Sequence, residues 1–68
     1  MFKSKIENLM KKRQITSGIL SIKTGLARNT IIRLMHANDI GNISLRTLIK
    51  LAISLDCKVK DLFDYRKY

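Results

Sequence analysis

The sequence predicts an all-α fold, because its 68 residues include no proline and only three glycines while 46% of them are hydrophobic. That composition is too apolar for a disordered chain and too poor in turn formers for an all-β one. Periodicity is the third sign, since apolar residues recur at helical spacing in several short segments divided by polar or turn-forming ones. A chain this short makes one domain, 1–68, with a modest core, and a partner chain is a natural supplement to it.

Ser4-Lys5-Ile6-Glu7 has the capping-box pattern, in which Ser4 accepts from the Glu7 amide and the Glu7 carboxylate reaches back to the amide of Ser4. It predicts a first helix over about 5–13, with Ile6, Leu9, Met10 and Arg13 along one side and Lys5, Asn8, Lys11 and Lys12 outward. Gln14-Ile15 is the connector, and Ile15 is expected to turn into the core. Thr16 can cap a second helix, about 17–24. Gly18 costs that helix up to about 1 kcal/mol relative to alanine and Ile19 and Ile22 are β-branched, so packing through Leu20 must hold it. Ile19 and Ile22 cannot both lie on the side of Leu20, which leaves at least one of them in solvent.

Thr24-Gly25-Leu26 then places the residue that adopts positive φ most freely where a helix must end. A third helix, about 28–36, follows this sharp turn. Ala27, Thr30, Ile31, Leu34 and Met35 make its core side, and the opposite arc carries Arg28, Asn29, Ile32, Arg33 and His36. The run 37–42 is dense in turn formers and predicts a loop. Ser44 caps a fourth helix, about 45–55, and Ile43 is placed to staple onto Leu48. Leu45, Leu48, Ile49, Ala52 and Leu55 are its expected buried side, with Arg46, Thr47, Lys50 and Ser54 outward. Asp56 stands where that helix stops, a position glycine would fill with less strain. A fifth helix is expected over about 59–64, with Leu62 and Phe63 inward and Lys60 and Asp61 in solvent. The basic-aromatic tail 64–68 offers Tyr65 and Tyr68 to a partner.

Fourteen Lys and Arg against five Asp and Glu give a formal charge of +9. No acid lies between Glu7 and Asp39, an interval that holds Lys11, Lys12, Arg13, Lys23, Arg28 and Arg33. A segment so uniformly positive suits a polyanion. The exposed arc of the third helix adds the right chemistry for nucleic-acid base edges: a guanidinium reaches guanine with two hydrogen bonds, an amide does the same to adenine, and an aliphatic group meets the thymine methyl. One histidine, one cysteine and no acidic cluster argue against an enzyme, a metal site, a cofactor or a small-molecule ligand. Cys57 reads as a small buried hydrophobe. The chain shows no secretion signal and no apolar run of transmembrane length, so the expected location is the cytoplasm, with no membrane partner.

Thr16, Leu20, Thr24-Gly25-Leu26, Arg28-Asn29-Thr30-Ile31 and Arg33-Leu34, followed by Ile43-Ser44-Leu45, Thr47-Leu48, Leu51-Ala52, Leu55, Cys57 and Asp61-Leu62-Phe63, resemble the Cro and repressor type of helix-turn-helix domain, the Xre-like family of phages, plasmids and bacteria. The resemblance covers nearly the whole chain. It implies a compact five-helix, lambda-repressor-like fold with the helix-turn-helix at the second and third helices, and a nucleoid-associated regulator of transcription, a repressor, that binds double-stranded DNA. In the family the third helix enters the major groove while the start of the second sits on phosphates. Carried onto this sequence, Arg28, Asn29, Ile32 and Arg33 become the base-reading set. Thr16, Ser17, Lys23, His36, Asn38, Asn42 and Arg46 become contacts to the DNA backbone. The family also implies a homodimer, at least on DNA, built around Leu55, Cys57, Lys58 and Val59 and reading a palindromic operator.

Two departures from the family pattern stand out. Ser17 and Gly18 occupy the place where relatives often carry a glutamine that braces the recognition helix, which shifts weight onto Arg28. Met10 and Met35 stand where many relatives pair an arginine with a glutamate, and they can fill that space without the desolvation cost of ions. The alternative to DNA binding is a domain of the same fold that binds protein, as an antirepressor or antitoxin-like partner does, using exposed Ile19 and Ile22.

Overall fold

The computed structural model describes residues 1–65. Among them are four α-helices, α1 (Ile6–Arg13), α2 (Ser17–Thr24), α3 (Arg28–His36) and α4 (Leu45–Ser54). A 3₁₀ turn, Val59–Asp61, follows α4, and two short strands, β1 (Phe2–Ser4) and β2 (Phe63–Tyr65), pair antiparallel. Among the described residues, no helix is long and apolar enough to cross a membrane.

The expected fifth helix over 59–64 is therefore corrected to one 3₁₀ turn and a strand, and the all-α, five-helix expectation to a mostly helical fold with a small sheet. Aromatic residues favour the extended backbone, and here they have something to pair with. The Phe2 ring meets Phe63 edge-on at 5.4 Å between centroids and Tyr65 at 5.1 Å. Tyr65 thus packs within its own chain, while Tyr68 lies outside the described residues.

The same strand undoes the capping box. Ser4 pairs with Phe63, so its hydroxyl accepts only from the Ile6 amide, at 3.2 Å, and Lys5 caps α1 without a side-chain bond. The Glu7 carboxylate turns instead toward Lys11, at 4.0 Å, and His36, at 3.6 Å. Thr16 and Ser44 do cap α2 and α4, accepting from Ile19 and Thr47 at 3.2 Å each. Gly25 ends α2 at φ 74° and Asp56 follows α4 at φ 52°, both left-handed as their positions demand.

Ile6, Met10, Leu20, Ile31, Leu51, Ala52, Leu55 and Leu62 form the core, and Ile15 packs against it. On α4 the buried side differs from the expected one. Leu51 is fully enclosed with Ala52 and Leu55, whereas Leu45 and Ile49 are exposed. Three, four and seven residues before Leu55 are Ala52, Leu51 and Leu48, and this set turns inward as a unit. Ala27, expected inward, is also exposed, because it precedes the first turn of α3 as its extended cap.

Arg13 fixes the end of α4 from across the core. Its guanidinium donates to the carbonyls of Leu55, at 3.2 Å, and Asp56, at 3.1 Å, placing a cation where the helix leaves carbonyls unpaired. On the opposite side β1 clasps the loop between α3 and α4. The Ile40 amide donates to the Phe2 carbonyl at 2.8 Å, and the Asp39 carboxylate accepts from the amides of Phe2, at 3.0 Å, and Gly41, at 2.9 Å. Those two N–H donors hold the Asp39 carboxyl below its ordinary range.

Candidate nucleic-acid interface

The turn between α2 and α3 is held by three side-chain bonds. Buried Thr24 donates its hydroxyl to the Leu20 carbonyl at 2.8 Å and accepts from the Leu26 amide at 3.2 Å. Ser21 donates to the Leu26 carbonyl at 2.6 Å. With every hydroxyl in the turn engaged and Gly25 left-handed, α3 leaves α2 in one direction. Ile31 then anchors α3 in the core, and Arg28, Asn29, Ile32, Arg33 and His36 all face solvent as the spacing required.

Arg28 is not free in that face. Its Nε donates to the Ser17 hydroxyl at 3.2 Å, so the first residue of α3 is tied to the first residue of α2. The two terminal nitrogens of a guanidinium carry the donors of a bidentate contact. Beside them, the amides of the first α2 turn that Thr16 does not take are available to a phosphate.

The remaining polar residues divide into two groups. Arg33, Asn42 and Thr47 line one concavity between α3 and α4, which puts the loop amide beside the exposed arginine of α3. His36 and Asn38 line another with Lys3, Ser4, Glu7 and Asn8, and His36 faces Glu7 across it. His36 thus leans on α1, apart from Arg28, Asn29, Ile32 and Arg33. Lys23, in the last turn of α2, and Arg46, in the first turn of α4, are exposed at the edges of the surface.

Helix α2, a glycine turn and an exposed α3 bearing arginine and asparagine constitute a helix-turn-helix. A family model described as the Cro/C1-type HTH DNA-binding domain matches residues 5–67. The chain belongs to that family. No curated protein matches it.

Within this Cro/C1-type domain, Met10 and Met35 line one concavity with Ile15. The residues expected at a dimer contact are unequal. Leu55 is only 1% exposed and belongs to the core, so it supports the turn after α4 from inside. Cys57 and Val59 are half-buried, and Lys58 is exposed. Cys57 faces α1 across a concavity shared with Lys5, Asn8, Leu9, Lys12, Arg13 and Asp61. Burial, and secondarily the Asp61 carboxylate, push its thiol up, with Arg13 opposing. Ile19 and Ile22 are both exposed, Ile22 at 85%.

Sequence reasoning missed Arg13 and Asp39 as organisers of this surface. Asp39-Ile40-Gly41 was legible as a local carboxylate turn, but its second donor, the Phe2 amide, lies far away in sequence. Nothing local marks Arg13, whose acceptors are more than forty residues away.

Proposed function

We propose that this Cro/C1-type domain is a sequence-specific transcriptional repressor that binds a palindromic operator as a homodimer. One observation carries the reading: the exposed face of α3 collects Arg28, Asn29, Ile32 and Arg33 on a helix whose orientation is fixed by the Thr24, Ser21 and Gly25 turn. In the major groove, Arg28 and Arg33 recognise guanine, Asn29 adenine and Ile32 a thymine methyl. Thr16 and the α2 amino end, Lys23, Asn42 and Arg46 hold phosphates around the groove, and His36 and Asn38 reach backbone at its margin. Two copies meet at the turn after α4, where Cys57, Lys58 and Val59 supply surface and Leu55 supports it. The two α3 helices then enter successive major grooves, roughly 34 Å apart.

The test is selection of bound duplexes from a random pool. The expected outcome is one enriched sequence with inverted half-sites about one helical turn apart. Enrichment of a lone half-site contradicts the dimer, and no enrichment over the starting pool contradicts sequence reading altogether. The second reading, a protein-binding module, draws on the exposure of Ile22. It predicts that Ile22→Ser abolishes the chain's activity in cells while leaving duplex binding intact.

A further inference from the structure

The exposed side of α4 carries an aliphatic stripe that none of the proposed DNA contacts uses, although Arg46, a proposed phosphate contact, borders it. Leu45, Ile49 and Ile53, four residues apart, form one stripe along the whole helix, and they are 66%, 43% and 75% exposed. Together they present on the order of 300 Å² of aliphatic surface, the size of the largest apolar patch on an ordinary monomer. Arg46 and Lys50, also four apart, run beside the stripe on one flank, and α4 contains no acid. Both cations are exposed.

We propose that this face of α4 docks an amphipathic helix from another protein, one with apolar residues at helical spacing and carboxylates along one flank. Helix-in-groove recognition reads such anchors at intervals of three and four, and the carboxylates would meet Arg46 and Lys50. A second copy of the chain is the wrong occupant: an antiparallel pair of α4 helices related by a two-fold axis brings Arg46 and Lys50 of both copies onto the same edge, where four like charges face one another. A duplex gains nothing from three aliphatic side chains on a helix that does not enter its grooves.

The proposal is independent of what α3 binds, and it is tested with short synthetic helices that carry leucine at the contact positions and either glutamate or lysine on the flank. Fluorescence anisotropy and amide shifts of the intact chain are the readouts. The glutamate peptide is expected to bind and to shift the amides of α4, and the lysine peptide to bind at least about tenfold more weakly. Ile53→Asp should weaken the glutamate peptide at least about tenfold while leaving thermal unfolding and duplex affinity unchanged, since Ile53 is outside the core. Lys50→Glu should reverse the preference between the peptides. Failure of the glutamate peptide to bind, equal binding of both peptides, shifts confined to α3, or equal loss on Arg28→Ala each overturn the proposal. Conversion of a dimer to a monomer by Ile53→Asp overturns it too, by making a second copy the occupant.

Discussion

Asp56 bears a left-handed backbone that costs an ordinary residue roughly 1–2 kcal/mol and glycine almost nothing. Asp56→Gly is therefore expected to raise unfolding stability in urea by up to about 1 kcal/mol, the rest being offset by the greater freedom of glycine in the unfolded chain. Gly25→Ala should lower it by about 1 kcal/mol: a methyl there meets nothing within 4 Å, so the whole effect is backbone strain at φ 74°. Asp39 adds a dependence on pH. Its carboxyl is held below its ordinary value of 3.8 in the folded chain by the Phe2 and Gly41 amides, so its contribution is present above that value and is lost as pH falls through the folded one. Amide exchange at Gly41 and Ile40 should accelerate in that acid window in the native chain, and Asp39→Asn should remove the pH dependence.

At the level of elements, β1 couples both ends of the chain to the loop after α3. Phe2→Ala removes the ring contacts to Phe63 and Tyr65 and is expected to cost about 1–2 kcal/mol in urea unfolding with little change in helix content. Resonances of residues 38–42 should broaden in the same variant, because the Phe2 backbone holds Ile40 and Asp39. Helices α2, α3 and α4 were legible because each carries its signals locally: Thr16 and Ser44 at caps, Gly25 at a stop, and Ile31 and Leu20 at buried positions, whereas α1 forms by the spacing of Ile6 and Met10 without the capping box. The sheet was not legible. Each strand is three residues long, and the pairing joins Phe2 to Tyr65 across nearly the entire chain. The α4 face misled for a different reason. With Leu45, Leu48, Ile49, Leu51, Ala52, Ile53 and Leu55 all apolar, helical spacing alone admits more than one buried side, and only the elements packed against it choose. The exposed arc of α3 was legible, whereas the bond from Arg28 to Ser17 needed the angle between two helices.

For the whole molecule, a charge of +9 and an acid-free stretch through α2 and α3 set how it meets a duplex. The proposed phosphate contacts, about five from Lys23, Arg46 and their neighbours, predict a log-log slope of affinity on salt near −4 to −5, and Lys23→Ala should reduce that slope by about one while weakening all sequences alike. A flat salt response contradicts that set of contacts. The central claim is that α3 reads bases, and the most direct measurement compares Arg28→Ala with the native chain on the selected operator and on a scrambled duplex of equal length. The account predicts a loss of about 1–3 kcal/mol on the operator with relaxed choice at one base pair, and a much smaller change on the scrambled duplex. Equal loss on both duplexes would contradict it, because Arg28 would then touch only backbone and α3 would not face the groove.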